Sequence, residues 1–258
     1  MRADRTNKGG PNVLIAIFAD IHANKQAFAA CLADAKNHNV GKIVLLGDYV
    51  GYGASPEWVV DKVMELVDKG ASAITGNHDT AITDKHEGMN ASAASVIDWT
   101  RVQLSMSQQQ FLANLPLSIP DGDRLFVHAD ASAPSKFRYI LDPEDAARSI
   151  NATTAEISLT GHVHKPAIYS MSATAKLTGF TPTTGVAVPL LPRRRWLITV
   201  GSVGQPRDGD PAAAYSIYNT DKREITFCRV AYDIEAAAAA IHKSGLPAKF
   251  ADRLFVGR

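Results

Sequence analysis

Apolar and polar positions along this chain alternate between two periods, and the switches between them mark out its elements. Val13 to Ala19 is a continuous apolar run, as expected of a strand covered on both faces. In Lys25 to Lys36 the period changes, placing Ala27, Phe28, Cys31, Leu32 and Ala35 on one helical face. Ile43 to Leu46 returns to strand character. Pro56 then opens a helix whose apolar positions Trp58, Val59, Val63, Leu66 and Val67 run to a stop near Gly70. Ser72 to Thr75 reads as a third strand, followed by helices over Ala91 to Val102 and Ser107 to Asn114. A strand at Leu125 to Val127, a helix from Pro143 to Ile150 and a strand at Ile157 to Thr160 complete the series. Strands and helices in this alternation predict an α/β domain built from βαβ units.

Beyond His164 the pattern is β-rich, with strands expected at Ala167 to Ser170, Trp196 to Val200, Ala214 to Tyr218 and Ile225 to Val230. These read as antiparallel strands that extend or face the first sheet. The Thr, Pro and Gly-rich segment 172–195 reads as a mobile loop. Its Arg193, Arg194 and Arg195 are either a phosphate-attracting cluster or a solvated run. Asp233 to His242, with five consecutive alanines, predicts a helix ended by Ser244-Gly245-Leu246-Pro247. With no internal repeat and no composition break, one domain is expected over residues 13–258, behind a flexible arm at 1–12.

A length of 258 residues with 46% hydrophobic and 21% charged content is enough for a large single core. The net charge of +1 gives no reason to expect a nucleic-acid polymer as partner. Cys31 and Cys228 are too few for a disulfide framework or a thiolate zinc site. No stretch is long and apolar enough to span a bilayer, so no membrane partner is expected and a cytoplasmic location is. Oligomeric state is not legible.

Chemistry enters through five short clusters: Asp20-Ile-His22, Gly47-Asp48, Gly76-Asn77-His78-Asp79, Val127-His128 and Gly161-His162-Val163-His164. They hold five of the chain's eight histidines. Four follow directly on a predicted strand, where open α/β sheets place their ligands. Carboxylate, imidazole and amide oxygen together are the donors that hard and borderline divalent ions require, and Asp20, His22, Asp48, Asn77, His128, His162 and His164 supply them. Seven donors suit two ions. The Asp-x-His and His-x-His spacings can put both side chains on one face of a strand end. A carboxylate such as Asp48 has lone pairs enough to bridge two ions.

These clusters resemble the motifs of the calcineurin-like metallophosphoesterases. The match runs through Phe18-Ala19-Asp20-Ile21-His22-Ala23-Asn24, Gly47-Asp48-Tyr49-Val50-Gly51-Tyr52-Gly53, Gly76-Asn77-His78-Asp79, His128 and Gly161-His162-Val163-His164, in family order. Two later stretches, Gly201 to Gly209 and Gly245-Leu246-Pro247, are similar to a bacterial branch of stand-alone, small-molecule members. The resemblance implies a four-layer αββα sandwich, two mixed sheets flanked by helices, with a dimetal site at the strand C-terminal ends. It assigns Asp20, His22, Asp48 and His164 to one ion and Asp48, Asn77, His128 and His162 to the other. His78 is implied as the catalytic general acid, with Asp79 beside it as a supporting or substrate-side group. Manganese is the preferred metal, with Fe, Zn, Co or Ni as alternatives. Two dications against two carboxylates and a bridging hydroxide, the implied nucleophile, leave a centre of about +1 that attracts phosphate.

Two departures from the family bear on substrate. Protein phosphatases of the family carry Asp-Arg where this chain has Gly51-Tyr52, which removes an acid that orients the catalytic histidine and an arginine that grips the phosphate. Many relatives read His-Gly where this chain has His128-Ala129-Asp130, bringing the Asp130 carboxylate toward the metals. Arg207 is the candidate replacement phosphate contact, or else a salt-bridge partner of Asp208 or Asp210. Asn24 reads as a helix N-cap and a substrate contact. His38, His86 and His242 have no partner signal and read as solvated. Hydrolysis of a small phosphorylated substrate, a diester or a nucleotide, is the expected function. A protein serine/threonine phosphatase and a catalytically silent metal-binding scaffold are the alternatives.

Overall fold

The computed structural model describes residues 13–84 and 91–258. The expected arm at 1–12 and His86 lie outside them. In chain order the strands are β1 Leu14–Phe18, β2 Lys42–Leu45, β3 Ser72–Ala73, β4 Ser118–Asp121, β5 Arg124–Val127 and β6 Ile157–Thr160. They continue with β7 Ala167–Ser172, β8 Leu177–Phe180, β9 Ala187–Pro189, β10 Arg194–Thr199, β11 Ala213–Asn219 and β12 Glu224–Val230. The helices are α1 Lys25–Asn37, α2 Pro56–Asp68, α3 Asn77–Thr80, α4 Ala91–Gln103, α5 Met106–Ala113, α6 Pro143–Asn151, α7 Ile234–Lys243 and α8 Lys249–Val256.

The strands form two mixed six-stranded sheets, in the orders β3, β2, β1, β11, β12, β9 and β4, β5, β6, β10, β7, β8. Within the first, β1, β2 and β3 are parallel; within the second, β5, β6 and β10 are. The strand period of two makes the layers. Ile15, Ile17 and Ala19 face the second sheet and meet Phe126, Ile157, Leu159 and Ile198. Their neighbours Ala16 and Phe18 face the other way, against Phe28 and Cys31 of α1 and Val59 and Val63 of α2. On the far side, Ala146 and Ile150 of α6 cover Tyr169, Met171 and Leu197. Helix, sheet, sheet, helix is the αββα sandwich that the motifs implied.

Where prediction and structure differ, the causes are local. Segment 172–195 is not one loop: it contains β8 and β9 and the start of β10. These are short edge pieces carrying Gly179 and Pro189, residues that weaken a strand pattern. Of the three arginines there, Arg194 ties β7 to β8 through the Ser170 hydroxyl (3.0 Å). Arg195 reaches the carbonyls of Ile150 and Thr153 at the C-terminal end of α6. Those two are structural, neither phosphate-seeking nor solvated. Strand β4 hid behind Pro120, tolerated because β4 is an edge strand. Helix α8 was legible and unread, since Phe250, Ala251 and Leu254 recur at helical spacing and are buried. Among the described residues no helix is long and apolar enough to cross a membrane.

Phe18 sits at the junction of layers, edge-on to Phe28 (5.9 Å between ring centroids) and stacked on Tyr215 (5.0 Å). Phe18→Ala is expected to cost roughly 3–5 kcal/mol through lost burial and the cavity left behind. The exposed Val102→Ala should stay within about 0.5 kcal/mol. Urea denaturation of the two variants checks the contrast.

Candidate metal centre

All six parallel strands open at the same edge, and the expected ligands stand in the loops that leave them. Asp20 and His22 follow β1, Asp48 follows β2, Asn77 follows β3, His128 follows β5, and His162 and His164 follow β6. The backbone there turns left-handed: φ is 55° at Asp20, 49° at His22, 56° at Asp48, 67° at His162 and 62° at His164. Asp and His tolerate this region better than most side chains do, at a cost of about 1–3 kcal/mol each. Backbone bonds between loops hold the turns in place. Asp20 N–H donates to Gly47 O (3.1 Å), His22 N–H to Asp48 O (2.9 Å) and Gly204 N–H to Asp20 O (2.9 Å). The His162 N–H closes on the Asp20 carboxylate at 2.9 and 3.0 Å.

The left-handed turns also correct the shared-face expectation. His162 and His164 do not act as a strand-like pair but diverge into two groups. One comprises Asp20, His22, Asp48 and His164, the other Asp48, His128 and His162, and the potential ligand atoms in each lie within 4.8 Å of one another. Asp48 belongs to both. Its Oδ2 is 3.7 Å from His22 Nε2 and 3.4 Å from His128 Nε2. Every member is buried.

Hydrogen bonding prepares the rings as donors. The Nδ1 of His22 lies 3.0 Å from Val50 O, that of His164 2.7 Å from Gln205 O and that of His128 2.6 Å from Leu46 O. A carbonyl only accepts, so each Nδ1 carries a proton, and the neutral rings of His22 and His164 turn a lone pair inward on Nε2. His22 Nε2 and His164 Nε2 then face one another at 3.1 Å, an arrangement that calls for a cation between them. Asn77 Oδ1 is likewise buried with no hydrogen-bond partner, as is His162 Nε2. Lone pairs facing each other, an orphaned amide oxygen and a shared carboxylate fit a pair of divalent ions.

Protonation follows the same logic. Burial, with Asp48 adding to it, pushes the Asp20 carboxyl up to about 8. Burial works against the His128 imidazolium, but Asp48 and Asp20 outweigh it and raise this histidine to about 9. Burial drives His22 and His164 well below the ordinary range and His162 to about 3.

The remaining predicted residues divide. His78 is buried beside the first group, edge-on to the rings of His22 (4.8 Å) and Tyr52 (4.6 Å). Its own N–H donates to Asp48 Oδ1 (2.9 Å). Of the two roles open to Asp79 the structure favours the supporting one over a catalytic, substrate-side one: its carboxylate accepts from the N–H groups of Asp48 (2.7 Å), Tyr49 (2.9 Å) and Gly76 (2.9 Å), which makes it a positioning residue. Asn24 is the N-cap that the sequence indicated, and its substrate-contact reading gives way: it caps α1 by accepting from Ala27 N–H (3.1 Å), while its amide donates to Gly204 O (2.9 Å) and to Tyr232 Oη (3.4 Å). Asp130 turns away from the centre to Ser132 and to Arg148 Nε (2.6 Å). His38 is exposed, though its Nδ1 lies 2.9 Å from Asp34 O; His242 is exposed.

Gly51 explains the altered second motif. Its φ is +87°, and a Cβ there would run into His78 Nδ1, so no acid fits at this position and His78 Nδ1 is left without a partner. Tyr52 packs on His78 instead, and the Arg207 guanidinium stands 5.7 Å over the Tyr52 ring. Arg207 makes no ion pair with Asp208 or Asp210, because Arg229 takes both. Sequence reasoning passed over three supports. Ser202 Oγ donates to Asp20 O (2.9 Å), Gln205 orients His164, and Tyr139 stacks on His162 at 4.1 Å. Ser202 and Gln205 lie inside the Gly201 to Gly209 stretch and were within reach; Tyr139 has no sequence signal.

Comparison with known proteins agrees with this geometry. Residues 13–223 match the model of the calcineurin-like phosphoesterase superfamily domain. An uncharacterized protein of Methanocaldococcus jannaschii is 34% identical over 95% of this chain and 98% of its own length. The crystal structure of a metallophosphoesterase from Sphaerobacter thermophilus superposes with a TM-score of 0.85 at 34% identity, over 96% of this chain and 100% of that one. A hypothetical protein from Pyrococcus horikoshii OT3 has a TM-score of 0.77 at 19% identity, over 95% of this chain and 99% of its own, and so shares the fold.

Asp79→Ala strands buried N–H donors at roughly 1–3 kcal/mol each. It is expected to lower stability by about 3 kcal/mol or more and to weaken metal retention, read by denaturation and by metal analysis of the purified variant. At pH 7, below the values of about 8 for Asp20 and about 9 for His128, chelator-treated protein carries a proton on both. Loading Mn²⁺ should therefore release roughly two protons, and apparent metal affinity should rise with pH until both groups are deprotonated. Calorimetry in buffers of different ionisation enthalpy counts them.

Proposed function

We propose, from the premise that this chain belongs to the calcineurin-like phosphoesterase superfamily, that it hydrolyses a phosphoester of a small molecule or nucleotide, with a diester preferred. The chain is a metal-dependent phosphoesterase, and its Asp and His groups can hold two divalent ions. The observation that carries the fuller reading is the shared carboxylate of Asp48, which would let one ion sit with Asp20, His22 and His164 and the other with His128 and His162, the unpartnered Asn77 Oδ1 being a further donor. Manganese is our preferred metal, with Fe, Zn, Co and Ni as alternatives. When bound, such a pair supplies an activated water at neutral pH and clamps the oxygens of an in-line displacement.

The chain's own groups supply the rest. Burial lowers the His78 pKa against the pull of Asp48, so the ring meets substrate neutral and can donate a hydrogen bond from its N–H to the leaving oxygen. Asp79 holds the turn that carries both Asp48 and His78. Arg207 brings a guanidinium fork to the side of the centre where Gly51 and Tyr52 have removed the acid and arginine of the protein phosphatases. That substitution favours a small substrate over a phosphoprotein, with no nucleic-acid polymer involved. Two free cysteines suit a reducing compartment, and we place the protein in the cytoplasm.

Mn²⁺-loaded protein is expected to cleave bis-p-nitrophenyl phosphate faster than a phosphoserine peptide, and chelation should abolish both rates. Equal or better turnover of the peptide overturns the small-substrate reading. His78→Asn should keep its metal and lose roughly two orders of magnitude in kcat. Asp48→Asn should lose both ions together; retention of one would end the bridging assignment.

A further inference from the structure

Beside the metal centre lies an open cleft of about 490 Å³ lined by Lys165, Arg207, Asp208, Gly209 and Arg258. Its charge is one-sided. Asp208 is its acid, and Arg229 already pairs with that carboxylate. Lys165, Arg207 and Arg258 form no ion pair with any described carboxylate, and Arg207 Nε is buried without a hydrogen-bond partner. Arg207 Nη2 reaches Gln205 Oε1 at a long 3.4 Å. Three cationic side chains line one concavity, and an anion placed there would be attracted to all of them.

The cleft is built rather than incidental. Its two walls are tied to the metal loops: Lys165 directly follows His164, and the Arg207 N–H donates to His164 O (3.2 Å). The third cation is set by tight backbone packing. Gly209 N–H donates to Gly257 O (2.9 Å), and a Cβ at Gly257 would come within 2.7 Å of the Asp210 backbone, so the chain that carries Arg258 is pressed onto the 208–210 turn. Arg207 acts on both sides, since its charge also bears on Asp20, His22, His78 and His164.

We infer that this cleft is a subsite for a second phosphate group, so that the natural substrate is a phosphoester bearing a further phosphate on the side of the scissile bond facing Lys165. This deepens the proposed hydrolase reading and rests on it for the position of the reacting phosphate. A guanidinium fork beside an ammonium is suited to the tetrahedral, doubly charged group. The Tyr52 ring lies 5.7 Å from the Arg207 guanidinium, which itself lines the cleft.

The test uses two probes that differ by one phosphate, propane-1,3-diol bisphosphate and its monophosphate, titrated calorimetrically into the Mn²⁺-loaded protein. The bisphosphate is expected to bind about tenfold or more tightly than the monophosphate. Lys165→Glu should shrink that ratio to about twofold or less, and Arg258→Ala should reduce it by a smaller factor. Equal affinity for the two probes, or a ratio that survives both substitutions, overturns the inference. If the ratio behaves as expected but no phosphoester is hydrolysed, the subsite stands and the hydrolase reading falls. If esters are hydrolysed without any advantage for the second phosphate, the subsite alone is lost.

Discussion

The rest of this molecule depends on the mutual confrontation of buried donors: His22 and His164 point lone pairs at each other across 3.1 Å while Asp20 and Asp48 lie beside them out of water. Desolvating carboxylates costs several kcal/mol per group, and five left-handed turns add strain to that. Two compensations act on different scales. Backbone hydrogen bonds lace the loops after β1, β2, β6 and β10 to one another, so that no turn can relax without breaking its neighbour. The larger compensation is electrostatic, because a dication stabilises the ionised carboxylate and the neutral imidazole at once. Folding at this edge of the sandwich and metal binding are therefore parts of one equilibrium.

The sheet topology is what allows so many donors to meet. An antiparallel neighbour would send its loop to the opposite edge, whereas three parallel strands in each sheet deliver six loops to the same one. The two sheets contribute unequally, with Asp20, His22, Asp48 and Asn77 coming from the first and His128, His162 and His164 from the second. A centre that spans both sheets is sensitive to their packing, and small residues at the contact point keep the approach close. A Cβ on Gly161 would lie 2.6 Å from the Ala19 side chain and 2.8 Å from Asp20 Oδ2. Asp79 does the corresponding work within the first sheet, drawing the turn after β2 onto the turn after β3 with one carboxylate.

Much of this was legible in the chain, for a physical reason. Buried parallel strands are written as unbroken apolar runs, and ligands at their ends are written as Asp, Asn and His next to Gly, so Val13 to Ala19 followed by Asp20 carries fold and site in one segment. What was not legible depends on direction and not on residue type. Strand periodicity alone paired His162 with His164; the motif resemblance divided them between two ions, and left-handed φ at both is the geometry that accompanies the split. For Asp79 and Asn24 the sequence left a supporting role and a substrate contact both open, and the backbone N–H and C=O groups that engage them decide for the supporting role. The edge strands β4, β8 and β9 carry Pro or Gly and too few residues for a pattern to emerge.

The second motif binds these observations to specificity. At Gly51 the backbone is left-handed and its missing Cβ is the space His78 occupies, so the acid that elsewhere orients the catalytic histidine cannot be restored by substitution alone. Packing replaces that hydrogen bond: His78 is wedged between the rings of His22 and Tyr52, and Tyr52 is in turn backed by Phe250 of α8 at 4.9 Å. A tyrosine in the place of an arginine also moves the positive charge. It now arrives on the loop after β10, through Arg207, on the side where Lys165 leaves the metal loop. Under the proposed function, a phosphate gripped from that side would present its substituents to the basic cleft. On the proposed hydrolase reading, a preference for a small ester over a phosphoprotein would trace to Gly51, Tyr52 and the loop that carries Arg207.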